Sequence, residues 1–385
     1  MERVIRELAS YERPSASAGE RRAAEWLAGE LRDAGCREVR VEEERAHGGY
    51  WWPLGLLNAA SGLAALVGRL PSAAVGAFAS AAVYDDVGGG RLWFRRRVLP
   101  RRQTWNVVAE LGDPDAARTV VYMAHHDAAH SGLVFHPALP RIGMRLVPRL
   151  HERANQSIPI IFGTFLGPLQ LALWGLVGRR WLRWNGMVFA LGASAAMANI
   201  AASRVVPGAN DNLSSVGVLA ALAHELAERP PEGVRVILLS TGSEEGFMEG
   251  MQAFGRRHFH ELDRATTEFV CLECVGSPHL CVVEAEGMLR MRYYTVSSRE
   301  RLARAGAEAG VELTRGLRTV AATDALIALR AGYPTCTLGG VDDTKFPAEY
   351  HWPSDVPDNL DWDSVEAAAE VCLRYLRGTE ALSAA

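Results

Sequence analysis

The chain has 385 residues, 49% apolar and 22% charged, which excludes global disorder and suits one large α/β domain with additions, or two domains. A balance of 41 basic against 45 acidic residues, net −4, argues against a nucleic-acid-binding protein. The mean hydropathy of −0.01 describes a soluble chain on average, yet the average conceals two apolar blocks. The six cysteines are scattered, which fits a reducing compartment better than a disulfide scaffold. Cys271 and Cys274 form a CxxC inside an apolar run and read as buried strand cysteines. The charged first 31 residues contain no apolar segment, which predicts no secretory signal peptide.

In residues 1–35, apolar positions recur at three- and four-residue spacing: Val4 and Leu8, then Ala23, Leu27 and Leu31. They predict two helices parted at Pro14, with Ser15 or Ser17 capping the second. Strands are expected at Val39–Val41, Asn106–Leu111 and Thr119–Met123. After residue 206, strands at Val234–Leu239, Glu268–Cys274 and Thr335–Leu338, and a short one near Thr319, alternate with helices near 212–228, 247–258, 297–310, 324–331 and 362–377. That alternation predicts an α/β fold with a mainly parallel sheet covered on both faces. The stretches 50–84 and 154–203 break the pattern with long uncharged runs.

Five short stretches place acidic residues and histidines at expected strand ends, where open α/β sheets gather their ligands. His125-His126-Asp127 follows the 119–123 strand, and a carboxylate two residues on can orient a metal-bound imidazole. Asn210-Asp211-Asn212 precedes a helix; a cap needs one such residue, and this run has three. Glu244-Glu245 follows the 234–239 strand; adjacent carboxylates repel, and a cation relieves them. An acidic helix start is the plain alternative. Glu273 interrupts an apolar strand, where an unpaired carboxylate is costly. Glu349-Tyr350-His351 and Asp355 come last. His126, His130 and His136, near the first stretch, read as surface residues.

In this order the five stretches resemble the M28 metallopeptidases, the zinc aminopeptidase clan that includes the glutaminyl cyclases. The resemblance covers roughly residues 1–46, 103–131 and 205–380 and leaves both apolar stretches as insertions. It implies a three-layer zinc-exopeptidase fold, with one catalytic domain over 1–385 and inserted helical hairpins at 50–84 and 154–203. It further implies two zinc ions. His125 would serve one and Glu245 and His351 the other, with Asp211 bridging and Glu273 in the place of the family's terminal Asp ligand. Asp127 would orient His125, Glu244 would be the general base, and Asp355 matches the trailing Asp of the last motif. The implied reaction is hydrolysis of a peptide or amide bond that removes an N-terminal residue, as aminopeptidases do, through zinc-activated water. A glutaminyl-cyclase-like acyltransferase and a non-catalytic membrane scaffold of the same fold are the alternatives. The chain departs from the family pattern at Asn210 and Glu273, each in place of Asp, and at Ser215 in place of Gly. A further departure is Thr323-Asp324-Ala325-Leu326-Ile327, where the family has a His and a Phe.

A transmembrane helix needs about 20 mostly apolar residues. Residues 50–68, 154–178 and 184–203 meet that length, and 70–84 falls short while able to complete a hairpin. Trp51, Trp52, Trp174, Trp181 and Trp184 suit interfacial anchors. The expectation is membrane insertion as two hairpins, with lipid as a partner beside the peptide or amide substrate. Arg91, Arg95, Arg96, Arg97, Arg101, Arg102, Arg141, Arg145, Arg149, Arg153 and Arg204 flank the hairpins on the domain side, against Arg69, Arg179, Arg180 and Arg183 at the tips. The excess predicts a cytoplasmic catalytic domain. A soluble cytoplasmic protein with the hairpins as buried caps is the alternative. Nothing in the sequence specifies an oligomer.

Overall fold

The computed structural model describes residues 1–88, 90–149, 152, 155–157 and 161–383. Its helices are α1 (Glu2–Ala9), α2 (Ala18–Asp33), α3 (Trp51–Val67), α4 (Arg69–Val87), α5 (Ala138–Leu146), α6 (Gly163–Val177), α7 (Arg180–Ala202), α8 (Ser214–Glu228), α9 (Glu249–His258), α10 (Val296–Glu308), α11 (Ala325–Arg330) and α12 (Trp362–Ser383), besides single turns. The main strands are β1 (Glu38–Ala46), β2 (Arg102–Gly112), β3 (Arg118–His125), β4 (Val234–Thr241), β5 (Thr267–Glu273), β6 (His279–Val282) and β7 (Thr335–Val341).

The strands form one sheet in the order β1-β2-β4-β3-β5-β7-β6. The four central strands β4, β3, β5 and β7 run parallel, while β1 and β2 at one edge and β6 at the other pair antiparallel. Side chains alternate between two cores, as a strand's two-residue period requires. Val120, Tyr122, Val236 and Leu238 face α1, α2, α8 and α12, whereas Val121, Met123, Ile237 and Leu239 face α9 and the insertions. Burial on both faces explains why these strands read as unbroken apolar runs. The second core also takes in Leu54 and Leu57 of α3, Val83 of α4, and Met197 and Ile200 of α7, so the insertions are fused to the sheet.

Helices α3, α4, α6 and α7 pack as a four-helix bundle, each against its two neighbours. Glycines allow this approach: a Cβ on Gly76 would lie 2.7 Å from the Ala172 nitrogen and 2.8 Å from the Pro168 carbonyl. Inside the bundle the Asn58 amide donates to the carbonyls of Leu54 and Thr164, both at 3.0 Å, and the Ser72 hydroxyl to that of Leu171 at 2.8 Å. Outside it stand exposed Leu63, Val67, Leu70, Phe78, Leu176, Trp184 and Val188. Inside the bundle these small and polar groups pack beside Leu171, Trp174 and Leu182, while further large apolar side chains stand on its outside.

The four helices have 17, 19, 15 and 23 residues. Among the described residues, α7 alone is long and apolar enough to cross a membrane; α3 and α6 are apolar but shorter. The expected run 154–178 therefore yields a shorter helix, partly because Ser157 donates its N–H to Arg318 and extends the edge of a small three-stranded sheet. Residues 154 and 158–160 lie outside the described residues. Arg95 also differs from expectation: it is fully buried, bonded to Asp86 at 2.9 Å and to the Gly246 carbonyl, and so is no flanking surface charge.

Candidate metal centre

The C-terminal ends of β3, β4 and β5 deliver His125, the Glu244–Glu245 loop and Glu273 to one spot. Adjacent-strand register sets this: His125 lies opposite Thr241, and Glu273 opposite Gly339. Asp211 comes from the turn before α8 and His351 from the loop after β7. Asp211 has a set of neighbours on each oxygen. His125 Nε2 is 3.2 Å from Oδ1 and 3.7 Å from Glu273 Oε1. His351 Nε2 is 3.1 Å from Oδ2 and 3.0 Å from Glu245 Oε1. Glu244 Oε2 stands 3.9 Å from His125 Nε2.

The donor set fits a metal. His125, Asp211 and Glu245 offer atoms all within 4.8 Å of one another, as do Asp211, Glu273 and Cys274. Among the described residues, both ring nitrogens of His125, Asp211 Oδ2 and Glu245 Oε1 are buried without a hydrogen-bond partner. Such orphaned groups are rare unless something is meant to bind them. One imidazole and carboxylates around each oxygen of a shared Asp suit zinc.

A supporting layer holds these residues. Asp127 accepts from the backbone N–H of Glu244 at 3.0 Å and of Glu245 at 3.2 Å, and from the Ser15 hydroxyl at 2.6 Å. Its Oδ1 lies 3.4 Å from His125 Nδ1. Asn212 donates to Glu273 Oε2 at 3.1 Å and accepts from the Cys274 N–H at 3.0 Å, which aims Glu273. The Asp355 carboxylate takes the N–H groups of Asn210 and Asp211 at 2.6 and 3.1 Å, fixing the bridging turn. Asn210 ties that turn to Ser277 and to the Ala348 carbonyl, both at 2.9 Å, bonds for which an amide N–H is the donor. Gly208 opens the turn at φ 61°, where a Cβ would meet the Asp211 carbonyl at 2.6 Å.

Electrostatics follow from burial and charge together. Burial raises Glu244 well above the carboxylate range, and Asp324, Glu245 and Glu273 add to this against the pull of His125. Burial would lower His125, but Asp127, Asp211 and Glu273 outweigh it and hold the imidazole well above its ordinary value. Burial would raise Asp127, but His125 and Ser15 prevail and hold it low.

Sequence reading missed several of these partners. Arg13 is fully buried and donates to the carbonyls of His126 at 2.7 Å, Pro207 at 2.5 Å and Gly208 at 2.9 Å, clamping two of the site's loops together. Glu20 accepts from the Ser243 N–H at 3.1 Å and hydroxyl at 2.9 Å, ahead of Glu244, and burial pushes it to about 8. The Ser17-to-Glu20 spacing was the available signal: a capping box whose acid also reaches Ala16 N–H at 2.7 Å. Asp324 accepts from the Thr241 hydroxyl, and burial raises it to about 7. His126 corrects the surface reading: it is fully buried, meets Ser240 Oγ at 2.9 Å, and burial drives it down to about 3. His130 is half-buried against Trp51, and His136 is exposed beside Trp352. All six cysteines are free and buried, Cys271 and Cys274 as expected.

Residues 194–376 match the model of peptidase family M28. Comparison with curated proteins gives no match. Similar solved structures include a Zn-dependent exopeptidase from Parabacteroides distasonis, 14% identical, covering 97% of this chain and 96% of that one at a TM-score of 0.56. A glutaminyl cyclase from Fimbriiglobus ruber, 14% identical, covers 97% and 93% at 0.57. An aminopeptidase from Aneurinibacillus, 11% identical, covers 97% and 92% at 0.56. Residues 194–376 thus match peptidase family M28, and the chain carries the fold of the zinc exopeptidases and glutaminyl cyclases to which it is similar.

Proposed function

We propose that the chain is a di-zinc amide hydrolase of the aminopeptidase type, one catalytic domain interrupted by two membrane-inserted hairpins. The observation that carries the reading is Asp211, whose two oxygens each face a separate histidine and a separate glutamate. His125, Asp211 and Glu273 would hold one zinc, and His351, Asp211 and Glu245 the other. Bound there, zinc supplies a Lewis acid for the scissile carbonyl and acidifies water. Glu244, held high by burial, takes the proton from the attacking water and passes it to the leaving amine. Asp127 keeps the Glu244 backbone and the His125 ring in place for that transfer.

The glutaminyl cyclases among the structural relatives make cyclisation of an N-terminal glutamine the second reading. The second donor set around Asp211 Oδ2 favours hydrolysis. Metal analysis of the purified full chain, with turnover of aminoacyl and N-acyl amides, tests the choice. Two zinc ions per chain and amide hydrolysis are expected, with Glu244→Gln keeping the metal and losing turnover. One zinc with cyclisation of glutaminyl peptides, or full activity in Glu244→Gln, would refute it.

Membrane insertion is supported by the bundle's exposed apolar exterior and by the character of α5. This helix carries Leu139, Ile142 and Leu146 at helical spacing, all exposed, next to Arg141 and Arg145. A basic amphipathic helix of this kind lies in a bilayer interface. With Arg95 removed, the arginine excess still falls on the domain side, which supports a catalytic site facing the cytoplasm. The chain should stay with membranes through alkaline carbonate; recovery in the soluble fraction without detergent would overturn this part.

A further inference from the structure

The candidate metal centre opens into a cavity of about 410 Å³. One end holds Asp211, Glu244 and Glu273; one wall is the bundle helix α7. Its lining residues Phe189, Ala193, Ala196, Met197 and Ile200 recur at three- and four-residue spacing and form a single stripe. From Ile200 to Val188 is twelve residues (200 − 188), or about 18 Å of helix. Val188 lines the cavity and is also 70% exposed on the bundle's apolar exterior. The cavity therefore runs from the catalytic carboxylates to the surface that the bundle presents to lipid.

We propose that the substrate is an amide bearing a long aliphatic chain, and that this chain lies along the α7 stripe with its outer end toward the bilayer. The proposal rests on the hydrolytic reading above and names its substrate class. Two observations favour a chain over a peptide in this trough. The stripe offers no side-chain donor or acceptor, and the backbone groups of a helix interior are already bonded to one another. A peptide laid there would bury amide groups without partners, at real cost; an aliphatic chain has none to bury. Also in the lining, Glu286 accepts from the Thr323 N–H and hydroxyl at 3.1 and 3.0 Å, while its Oε1 is buried without a partner. That oxygen suits a polar head bearing an N–H or O–H donor.

The reaction balances as ordinary hydrolysis. The oxygen of water joins the carbonyl carbon, the C–N bond breaks, and the proton that Glu244 removes goes to the nitrogen. The products are a carboxylic acid and an amine, one of which keeps the chain.

The test uses the zinc-loaded full chain in detergent and two substrate series of rising chain length. N-acyl amino acids carry the chain on the acyl side; aminoacyl alkylamides carry it on the amine side. In one series kcat/KM should rise with length, by up to about fourfold per buried methylene. Gly192→Phe fills the trough at a position where a Cβ meets open space, so the fold should accept it. The ratio of wild-type to variant kcat/KM should then grow at least tenfold from the shortest to the longest substrate. Ala196→Phe serves the same purpose if the first variant melts early. A flat length dependence on substrates that are hydrolysed overturns the proposal and leaves the hydrolytic reading standing. A length dependence that survives both variants reflects partition into micelles and also overturns it, as does preference for apolar tripeptide amides over both series. No turnover of any amide overturns both readings.

Discussion

Replacing Asp127 by Asn keeps the side chain's shape and removes its charge, which isolates what the carboxylate does. Three hydrogen bonds converge on it, from the N–H groups of Glu244 and Glu245 at 3.0 and 3.2 Å and the Ser15 hydroxyl at 2.6 Å, and the His125 ring stands against it with Nδ1 at 3.4 Å. An amide has only one oxygen to offer. Its NH2 must face either the His125 and Glu244 side or the Ser15 and Glu245 side, setting a donor against a backbone N–H. Hydrogen bonds to a charged group contribute roughly 1.5–3 kcal/mol each, so two lost bonds amount to about 3–6 kcal/mol. At 1.36 kcal/mol per decade this is about two to four decades in kcat/KM if the loss falls on the transition state. Zinc affinity should also weaken by about 10–100-fold, the usual effect of removing a carboxylate behind a metal-bound histidine. Kinetics at saturating zinc, alongside zinc retention against a graded chelator, separate the two contributions. Ser15→Ala, which removes one donor, should lose no more than about one to two decades. An Asp127→Asn enzyme with kcat/KM within threefold of wild type at saturating zinc would refute the positioning role.

Other outcomes follow from the same contacts. Arg13→Met withdraws the cation from three loop carbonyls and from the charges of Asp355, Asp127 and Asp211, and should destabilise the chain by on the order of 3–5 kcal/mol in denaturant titration; an unchanged midpoint would contradict the clamp. Gly76→Leu must push α4 from α6 because the nearest atoms are backbone, and should lower the melting point at a cost of about 1–3 kcal/mol. Gly192→Ala, facing open space, should be neutral or stabilise by up to about 1 kcal/mol; equal effects at the two glycines would mean the bundle packs otherwise. For the His258–Glu42 pair at 2.8 Å, the hydrogen bond to Glu42 raises His258 against burial, and His258 holds Glu42 low against burial. The raised histidine stabilises fully below its unfolded value of about 6.5 and loses that contribution as pH climbs through its folded value. The depressed Glu42 stabilises above its unfolded value of about 4.3 and loses that as pH falls through its folded value. The stability gap between wild type and His258→Gln should thus be widest from about pH 4.5 to 6.5; a gap independent of pH would refute the pairing.

The parallel strands and their helices were legible because burial on both faces writes long apolar runs, and because metal-binding side chains cluster at strand ends. Thus β3, β4, β5 and β7 lie where the sequence places them, with β3, β4 and β7 two or three residues longer at their C-terminal ends and β5 ending one residue earlier. The strand β6 was not legible: it has four residues, follows Pro278, and is held by partners distant in sequence, β7 on one side and Thr314 on the other. Each candidate site residue reaches the same cavity or the layer behind it. Arg13 and Glu20 escaped notice because a charge beside a helix end ordinarily meets water, and only the folded chain brings the His126 and Ser243 loops against them. The burial of His126 was likewise invisible, since it depends on Ser240 from another strand.

The insertions divide the catalytic residues in order of synthesis. Arg13 and Glu20 emerge from the ribosome before the first hairpin, His125 between the two, and Asp211 after the second. The partners of Arg13 at Pro207 and Gly208 are made only once α7 is complete. On the membrane reading, a buried arginine waits through two insertion events for the carbonyls that neutralise its exposure. Enzymatic competence would then arrive last and all at once. A hairpin inserted the wrong way round could never bring Asp211 to His125, so an active molecule certifies its own topology.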